Sequence, residues 1–332
     1  MNVAVADRDR QSHGVGEKLR IMSGQFDLVV VGGGLAGLSA ALTAARLGRR
    51  VAILTGGAIG GQLVSIEKIE GVPGFEQPVP GYDLCPISQE QASAAGVQFV
   101  MAEADSIAAD GEDWRIASAE GELRARGVVI ATGTRVAKLG VPGEERLVGR
   151  GVSECASCDA PLLRGKTTVV AGGGDSAMQE ALTLAAHVDK VILLERGEAL
   201  TGQASYREEV ASNPKIEVRF GQEIVEILGE EAVTGVRVKD VSGAESEQET
   251  AAVFAFTGLV PNAALVEGIA PLDSSGRIKV DAAMRTEVRG LLAAGNVRQG
   301  SPHRAAGAMG DGAAAAVSLE RYLATGAWRD PD

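Results

Sequence analysis

Two cysteines three positions apart give the clearest chemical signal in the sequence. Cys155 and Cys158 are separated by Ala156 and Ser157, and Asp159 follows directly. Thiols at this spacing can close a small, reducible disulfide, and one thiol can attack a substrate disulfide while the other resolves the mixed intermediate. Asp159 is close enough in sequence to exchange protons with these sulfurs. We therefore interpret Cys155, Cys158 and Asp159 as a redox centre.

The other candidate metal ligands do not favour a zinc site. Zinc usually takes about four ligands, whereas the chain offers one further cysteine, Cys85, and three histidines at no ligand-like spacing: His13, His187 and His303. We predict no metal site and expect Cys85 to be a buried core thiol. His303 could act as a base, but a single histidine of this kind is more often a surface residue. Three cysteines are too few for a disulfide scaffold, which favours redox work in the cytoplasm.

Charge and hydropathy restrict the class of partner. The net charge of −12 argues against nucleic acid and anionic membranes. No apolar run approaches the roughly 20 residues that a membrane span needs. Residues 1–25 are polar and mixed in charge, so we expect no signal peptide and predict a disordered tail over residues 1–23.

A glycine-rich pattern follows the first predicted strand, residues 26–31. Gly32, Gly34 and Gly37 form a GxGxxG motif, and a predicted helix over 38–47 and a strand over 50–54 complete a βαβ unit. The first glycine allows a tight turn, the second lets a pyrophosphate approach the backbone, and the third lets helix and strand pack closely. The helix N-terminus would face the phosphates. The pattern predicts a dinucleotide site.

The same pattern recurs in the second half of the chain. Gly172, Gly174 and Ala177 follow a predicted strand over 166–171 and precede a predicted helix over 178–187. A further strand over 191–194 completes the unit. Two complete units of this kind predict two dinucleotides on one chain.

Two further strand-and-turn segments, residues 128–133 and 254–262, mark where the chain crosses between domains. A third, residues 292–296, leads into a predicted helix over 307–317. We predict an α/β protein of two Rossmann-like nucleotide-binding domains. One domain comprises residues 24–135 and 260–332, and the other, residues 136–259, is inserted into it and carries the redox cysteines.

In this order, the motifs resemble those of the low-molecular-weight bacterial thioredoxin reductases and their flavoprotein relatives, over residues 26–323. The resemblance implies FAD on the first domain and NAD(P)H on the inserted one. The residues that would hold FAD are Gly32, Gly34, Gly37, Gly61, Gln62, Thr132, Gly133 and Asn296. Those that would hold the nicotinamide nucleotide are Gly172, Gly174, Ala177, Glu195 and Arg196.

The resemblance also implies the route of the electrons. Hydride would pass from the nicotinamide to the flavin, and electrons from the flavin to the disulfide. Cys158 would face the flavin, Cys155 would attack the disulfide of the partner, and Asp159 would be the acid and base. The resemblance further implies a homodimer whose two domains alternate between two orientations.

The sequence departs from the family at the ribose site. Members that use NADPH carry a His-Arg-Arg run after the strand that follows the second helix, whereas this chain has Glu195 and Arg196. A carboxylate at the strand end accepts hydrogen bonds from a free 2′-hydroxyl and repels a phosphate. The sequence therefore favours NADH over NADPH, with Arg196 as the contrary signal.

A second departure concerns the partner. Members that reduce thioredoxin usually have a glycine and two aromatic residues after the redox aspartate, whereas Asp159 is followed by residues 160–163, Ala-Pro-Leu-Leu. Aromatic side chains are the usual anchors of an interface. A different small redoxin or a low-molecular-weight disulfide fits as well as thioredoxin.

A third departure lies near the flavin. Asn296 replaces the usual aspartate of the last glycine motif. It can still form hydrogen bonds to the ribitol but carries no charge.

The leading hypothesis is an FAD-dependent disulfide reductase of the EC 1.8.1 class driven by NADH or NADPH. Three alternatives remain open at this point. The enzyme could oxidise a small dithiol and pass electrons to oxygen, or it could draw electrons from ferredoxin. The chain could also be a flavin-bound redox sensor without catalytic activity. Asp159 argues against this alternative, because a sensor has less need of an acid and base.

Overall fold

The computed structural model describes residues 25–57 and 59–329, so the predicted tail over residues 1–23 lies outside the described part. The described residues form two compact units. The first comprises residues up to 134 together with those from 261 onward, and the second comprises Arg135–Val260. Each unit contains a parallel sheet with helices, so the predicted α/β fold class is confirmed.

The helices in chain order are α1 (Leu35–Arg46), α2 (Gly81–Ala94), α3 (Ala156–Asp159), α4 (Asp175–Ala185), α5 (Ala204–Ser212) and α6 (Ala305–Thr325). The strands are β1 (Gln25–Val31), β2 (Val51–Leu54), β3 (Gln98–Val100), β4 (Ala104–Asp110), β5 (Asp113–Ser118), β6 (Gly121–Ile130), β7 (Thr134–Val136), β8 (Val152–Ser153), β9 (Thr167–Ala171), β10 (Lys190–Glu195), β11 (Ile216–Phe220), β12 (Gln222–Leu228), β13 (Gly235–Asp240), β14 (Glu245–Glu249), β15 (Ala252–Ala255), β16 (Leu259–Pro261) and β17 (Leu291–Ala293).

The sheet of the first unit is built around the pair β1 and β6. Strands β3, β2, β1 and β6 lie side by side in parallel, and β17 adds to the carboxyl half of β6. The amino half of β6 pairs antiparallel with β5, which pairs with β4. Leu28, Val29 and Val30 of β1 are fully buried, as expected for a strand covered on both faces. The carboxyl ends of β1, β6 and β17 therefore lie along one edge of the sheet.

Helices α1 and α6 of the first unit pack at unusually close range. A Cβ atom placed at Gly312 of α6 would lie 2.1 Å from the carbonyl oxygen of Ala36 in α1. Beyond the contact, Arg49 donates two hydrogen bonds to the carboxylate of Glu320, at 2.5 and 2.8 Å. The predicted end of α6 at residue 317 is wrong, because Leu319 and Tyr322 continue the buried face and the helix runs to Thr325.

The second unit repeats the parallel plan. Its main sheet has the order β11-β10-β9-β15-β8, and every neighbouring pair is parallel. A separate antiparallel sheet contains β12, β13 and β14. Helix α4 connects β9 to β10 and buries Met178 and Leu184 against the main sheet core, which includes Val170, Leu193 and Phe254.

Helices α1 and α4 each begin three residues before the predicted start. In both cases the residue before the helix is a glycine with extended backbone, Gly34 or Gly174. The helix can therefore begin directly after the glycine loop, and Gly37 and Ala177 lie in its first turn. This difference brings each helix N-terminus closer to the loop than the sequence pattern predicts.

The chain passes between the units at β7 and β16, which form a two-stranded sheet. None of the helices in the described ranges is both long enough and apolar enough to cross a membrane.

The close contact of α1 and α6 gives a test of the fold. We expect Gly312→Ala to lower the free energy of unfolding by about 1–3 kcal/mol, because its methyl group must displace backbone atoms of α1. Gly310→Ala is the matched control in the same helix, because a Cβ atom there meets nothing within 4 Å. Replacing a helical glycine by alanine should raise stability by roughly 0.5–1 kcal/mol at Gly310. The free energies of unfolding of the two variants are measured by urea unfolding followed by circular dichroism. Equal changes in the two variants would contradict the close packing.

Candidate active site

The first glycine loop leaves backbone exposed in front of α1. A Cβ atom at Gly32, whose φ is +116°, would lie 2.3 Å from the carbonyl oxygen of Ala131, and one at Gly37 would lie 1.9 Å from the carbonyl oxygen of Gly32. A Cβ atom at Gly34 would meet nothing within 4 Å. The loop is therefore closed on the protein side and open at Gly34, where an anionic group can approach the helix N-terminus.

A second loop, residues 60–62, lies against the first. Gly60 donates its backbone N–H to the carbonyl oxygen of Gly33 at 2.8 Å and forms a parallel bridge with Gly34. Gly61 adopts a φ of +60°. The exposed Gln62 accepts a 3.5 Å hydrogen bond from Thr134 through its Oε1. The structure thus brings Gly61 and Gln62 to the open side of the first loop.

Thr132 and Gly133 lie directly after β6, at the same sheet edge. The hydroxyl of Thr132 donates to the carbonyl oxygen of Asn262 at 2.7 Å, and the amide of Asn262 donates back to the carbonyl oxygen of Thr132 at 3.0 Å. This reciprocal pair fixes the two segments where they leave the first unit. The sequence analysis did not predict a role for Asn262. Only its position at the end of the predicted crossing segment, residues 254–262, pointed to it.

Asn296 lies in a short turn, Gly295–Val297, just after β17. Its Oδ1 accepts a 2.9 Å hydrogen bond from the hydroxyl of Ser301. The buried carboxylate of Asp311, also missed from the sequence, holds the turn by accepting the N–H of Gly295 at 3.0 Å and the Nε of Arg298 at 2.7 Å. Asn296 is therefore fixed at the same edge as the glycine loop.

His303 lies at the surface near this turn, in a left-handed conformation with a φ of 53°. Partial burial, with the nearby guanidinium groups of Arg277 and Arg304, holds the pKa of His303 below its usual value. Cys85, as predicted, is fully buried, and burial raises the pKa of its thiol.

The second glycine loop repeats the geometry of the first. A Cβ atom at Gly172, with a φ of +126°, would lie 2.3 Å from the carbonyl oxygen of Phe256, whereas one at Gly174 would meet nothing within 4 Å. Ala177 is fully buried beneath the loop. The two loops thus share one geometry: the first glycine packs against a carbonyl oxygen and the glycine two residues later faces open space. A dinucleotide site requires both features.

Glu195 lies at the carboxyl end of β10, against the second loop. Its Oε1 accepts the N–H of Gly197 at 2.6 Å, and its Oε2 would lie 2.3 Å from a Cβ atom placed at Gly173. Nearby, Glu223 forms an ion pair with Lys239, with 2.8 Å between Oε1 and Nζ. Lys239, with Arg196, lowers the pKa of Glu223. Arg196, Glu223 and Lys239 line one surface pocket of the second unit.

The redox segment starts two residues after β8, at the carboxyl edge of the same parallel sheet. The structure joins Cys155 and Cys158 in a disulfide with their Cα atoms 5.4 Å apart. Cys155 is half-buried and Cys158 exposed, and the half-buried Asp159 ends the short helix α3. Ser153 accepts the backbone N–H of Cys155 at 3.1 Å. The glycine loop, Glu195 and the redox pair thus share one sheet edge.

Glu180 of α4 also contacts the redox segment. Its Oε2 accepts the backbone N–H of Ala156, the residue after Cys155, at 2.8 Å. Sequence reasoning missed Glu180, because a carboxylate in the middle of an amphipathic helix gives no signal of its own. Among the described residues, no group of three or more histidine, cysteine or carboxylate side chains is arranged to hold a metal ion.

The family model of the pyridine nucleotide-disulphide oxidoreductases matches residues 26–312. The chain belongs to this family. Its relatives include the thioredoxin reductase of Treponema pallidum (strain Nichols), which is 38% identical over 305 residues, covering 92% of this chain and 99% of the relative. The thioredoxin reductase of Bacillus subtilis (strain 168) is 34% identical over 301 residues, covering 90% of this chain and 95% of the relative.

Two solved thioredoxin reductases are similar over nearly their whole length. The enzyme of Lactococcus lactis superposes with a TM-score of 0.88 at 33% identity, covering 90% of this chain and 99% of its own. That of T. acidophilum superposes with a TM-score of 0.87 at 35% identity, covering 91% and 99%. The predicted resemblance to the low-molecular-weight thioredoxin reductases is confirmed.

Membership of this pyridine nucleotide-disulphide oxidoreductase family fixes the class of reaction and cofactor. The protein is an FAD-dependent disulfide oxidoreductase that uses NAD(P)H. The relatives do not favour the dithiol-oxidase, ferredoxin-linked or sensor alternatives. The two open glycine loops fit the two cofactors, because each presents backbone and a helix N-terminus to a pyrophosphate.

Proposed function

We propose that this enzyme passes electrons from a nicotinamide nucleotide through FAD and the Cys155–Cys158 pair to the disulfide of a small redoxin, or to a low-molecular-weight disulfide. FAD binds the first unit and the nicotinamide nucleotide the second. The observation that carries the proposal is that the redox pair and an open nucleotide loop lie at the same edge of one parallel sheet. The names of the relatives support a thioredoxin-type partner.

The chemistry divides between the cofactor and the chain. When bound, FAD would supply the redox chemistry that carries an electron pair from the nicotinamide to the Cys155–Cys158 disulfide. Cys158 would take up this pair when the Cys155–Cys158 bond breaks, which leaves Cys155 as a thiolate, and Asp159 would donate a proton to the thiolate that the partner releases. The Cys155 thiolate would then attack the partner disulfide and form a mixed disulfide. Cys158 would attack Cys155 in this intermediate, which releases the partner as a dithiol and restores the Cys155–Cys158 bond. NAD(P)H, a proton and a disulfide thus give NAD(P)⁺ and a dithiol.

The open glycines allow the two cofactor sites to be tested separately. Gly34 and Gly174 have ordinary extended backbone, with φ of −75° and −88°, so valine is tolerated locally and its side chain fills only the open space. We expect Gly34→Val to abolish flavin binding. Gly174→Val should keep the flavin, but the rate at which NAD(P)H reduces the flavin should fall at least tenfold.

Each of these variants is the control for the other. Flavin absorbance and the rate of flavin reduction are the measurements. Loss of flavin in Gly174→Val, or normal flavin content in Gly34→Val, would contradict the assignment of the two loops.

The geometry at the second loop supports NADH over NADPH. The Glu195 carboxylate lies over Gly173, where it would meet a ribose 2′-hydroxyl and repel a 2′-phosphate. Arg196, the cation that favoured NADPH in the sequence, lines the same surface pocket as Glu223 and Asp240.

Replacing Glu195 tests this preference. We expect Glu195→Ser to lower kcat/KM for NADH about tenfold and to raise it for NADPH, because a bidentate acceptor is lost and a repulsive charge is removed. Glu198→Ser, three residues further along, removes an exposed carboxylate of the same charge and should change neither value. The measurement is steady-state kinetics with each nucleotide. If the ratio of kcat/KM for NADH to that for NADPH is unchanged in Glu195→Ser, the proposal is contradicted.

Leu162 is a highly exposed apolar side chain close to the redox pair in sequence. It lies one turn after Cys158, in the short helix Ala160–Leu163, and its relative exposure is 81%. Cys158 is exposed on the turn before it. We propose that a redoxin docks on this side chain in place of the aromatic pair.

We expect Leu162→Ser to raise the KM for a thioredoxin about tenfold, because an apolar contact is lost at the interface. Flavin reduction and turnover of a small aromatic disulfide should stay unchanged, since neither uses the docking surface. Val148→Ser removes another exposed apolar side chain of the second unit, with 63% exposure, and serves as the control. An unchanged KM in Leu162→Ser would exclude this docking site.

We further propose a homodimer in the cytoplasm. The homodimer follows from the resemblance of the motifs, and the cytoplasm from the use of one close cysteine pair, which suits a compartment that keeps thiols reduced.

A further inference from the structure

The backbone N–H between the two redox cysteines is occupied by a carboxylate. Ala156 donates to Glu180 Oε2 at 2.8 Å, and only one peptide unit separates this bond from Cys155. Ala156 and Ala160 are fully buried in the same core cluster as Ala177 and Ala181 of α4. Helix α4 thus holds the redox segment by apolar packing and by one charged hydrogen bond.

Both parts of this contact act on a thiolate at Cys155. A free N–H beside a cysteine stabilises the thiolate, and couples with a stabilised reduced form are oxidising. Here Glu180 takes that donor. Its negative charge also repels a thiolate in a half-buried position, where solvent screens less than at the surface.

We propose that Glu180 is a positioning residue that makes the Cys155–Cys158 couple a stronger reductant. The inference deepens the proposed function, because it rests on this pair as the site from which electrons leave. A destabilised thiolate shifts the equilibrium toward the disulfide, so the dithiol gives its electron pair more readily to the partner. The partner class that follows is one with a strongly reducing potential of its own.

Three substitutions separate charge from hydrogen bonding. Glu180→Gln keeps an oxygen that can accept the Ala156 N–H and removes the charge. Glu180→Ala removes both, and Glu180→Asp keeps the charge on a shorter side chain. Glu154→Gln is the control, because Glu154 is adjacent to Cys155 in sequence but exposed.

The measurement is the equilibrium of the holoenzyme dithiol with buffers of reduced and oxidised dithiothreitol at pH 7. The Cys155–Cys158 peptide is trapped by alkylation and quantified by mass spectrometry. We expect Glu180→Gln to shift the equilibrium constant toward the dithiol about tenfold, which is roughly 30 mV for a two-electron couple, and Glu180→Ala, which also frees the Ala156 N–H, to shift it further. Glu180→Asp should restore most of the wild-type value, and Glu154→Gln should shift the constant by less than threefold.

An unchanged constant in Glu180→Gln with a shift in Glu180→Ala would mean that Glu180 only holds the backbone, and it would overturn the proposal. Unchanged constants in both would also overturn it. Flavin content and thermal midpoint report whether each variant is folded. Dithiothreitol needs neither nicotinamide nor partner, so this result is separate from failure of the proposed function, which appears as no reduction by NAD(P)H.

Discussion

The arrangement of both sites depends on two backbone contacts in which no side chain fits. Gly32 lies against the carbonyl of Ala131, and Gly172 against that of Phe256, each at the end of a neighbouring parallel strand. Any Cβ atom would collide with a peptide group that the sheet holds in place. This contact turns the chain sharply from strand to helix, so that the helix begins with its open glycine at the sheet edge. The anion-binding geometry follows from that turn.

The same constraint places the redox chemistry. Strands β8, β9, β10 and β15 are parallel neighbours or near neighbours, so the segments that follow them emerge along one edge. The redox pair after β8, the second glycine loop after β9 and Glu195 at the end of β10 therefore lie on the same side of the second unit. Helix α4, which starts at the open glycine, also supplies Glu180 to the redox segment. One short helix thus connects nucleotide binding with the position of the cysteines.

The sequence predicted what depends on local pattern. The glycine loops, the redox pair, the buried Cys85 and the α/β class were all readable from residue type and spacing. The start of α4 and the end of α6 were misplaced, because the backbone of Gly174 and the buried position of Leu319 are set by tertiary packing. Contacts between distant positions gave no signal: Glu180 bonds across 24 residues and Asn262 across 130. Their partners become visible only when the strands are assembled.

An anaerobic titration of the enzyme with NADH shows whether the Cys155–Cys158 pair lies in the path of the electrons, because it counts the electron pairs that the protein accepts. The flavin and the disulfide each take one pair. We expect full reduction to consume about two equivalents of NADH per bound flavin, and about one in a variant with Cys155→Ser and Cys158→Ser together. The same consumption in both proteins would contradict the account, since the cysteine pair would then lie outside the path of the electrons.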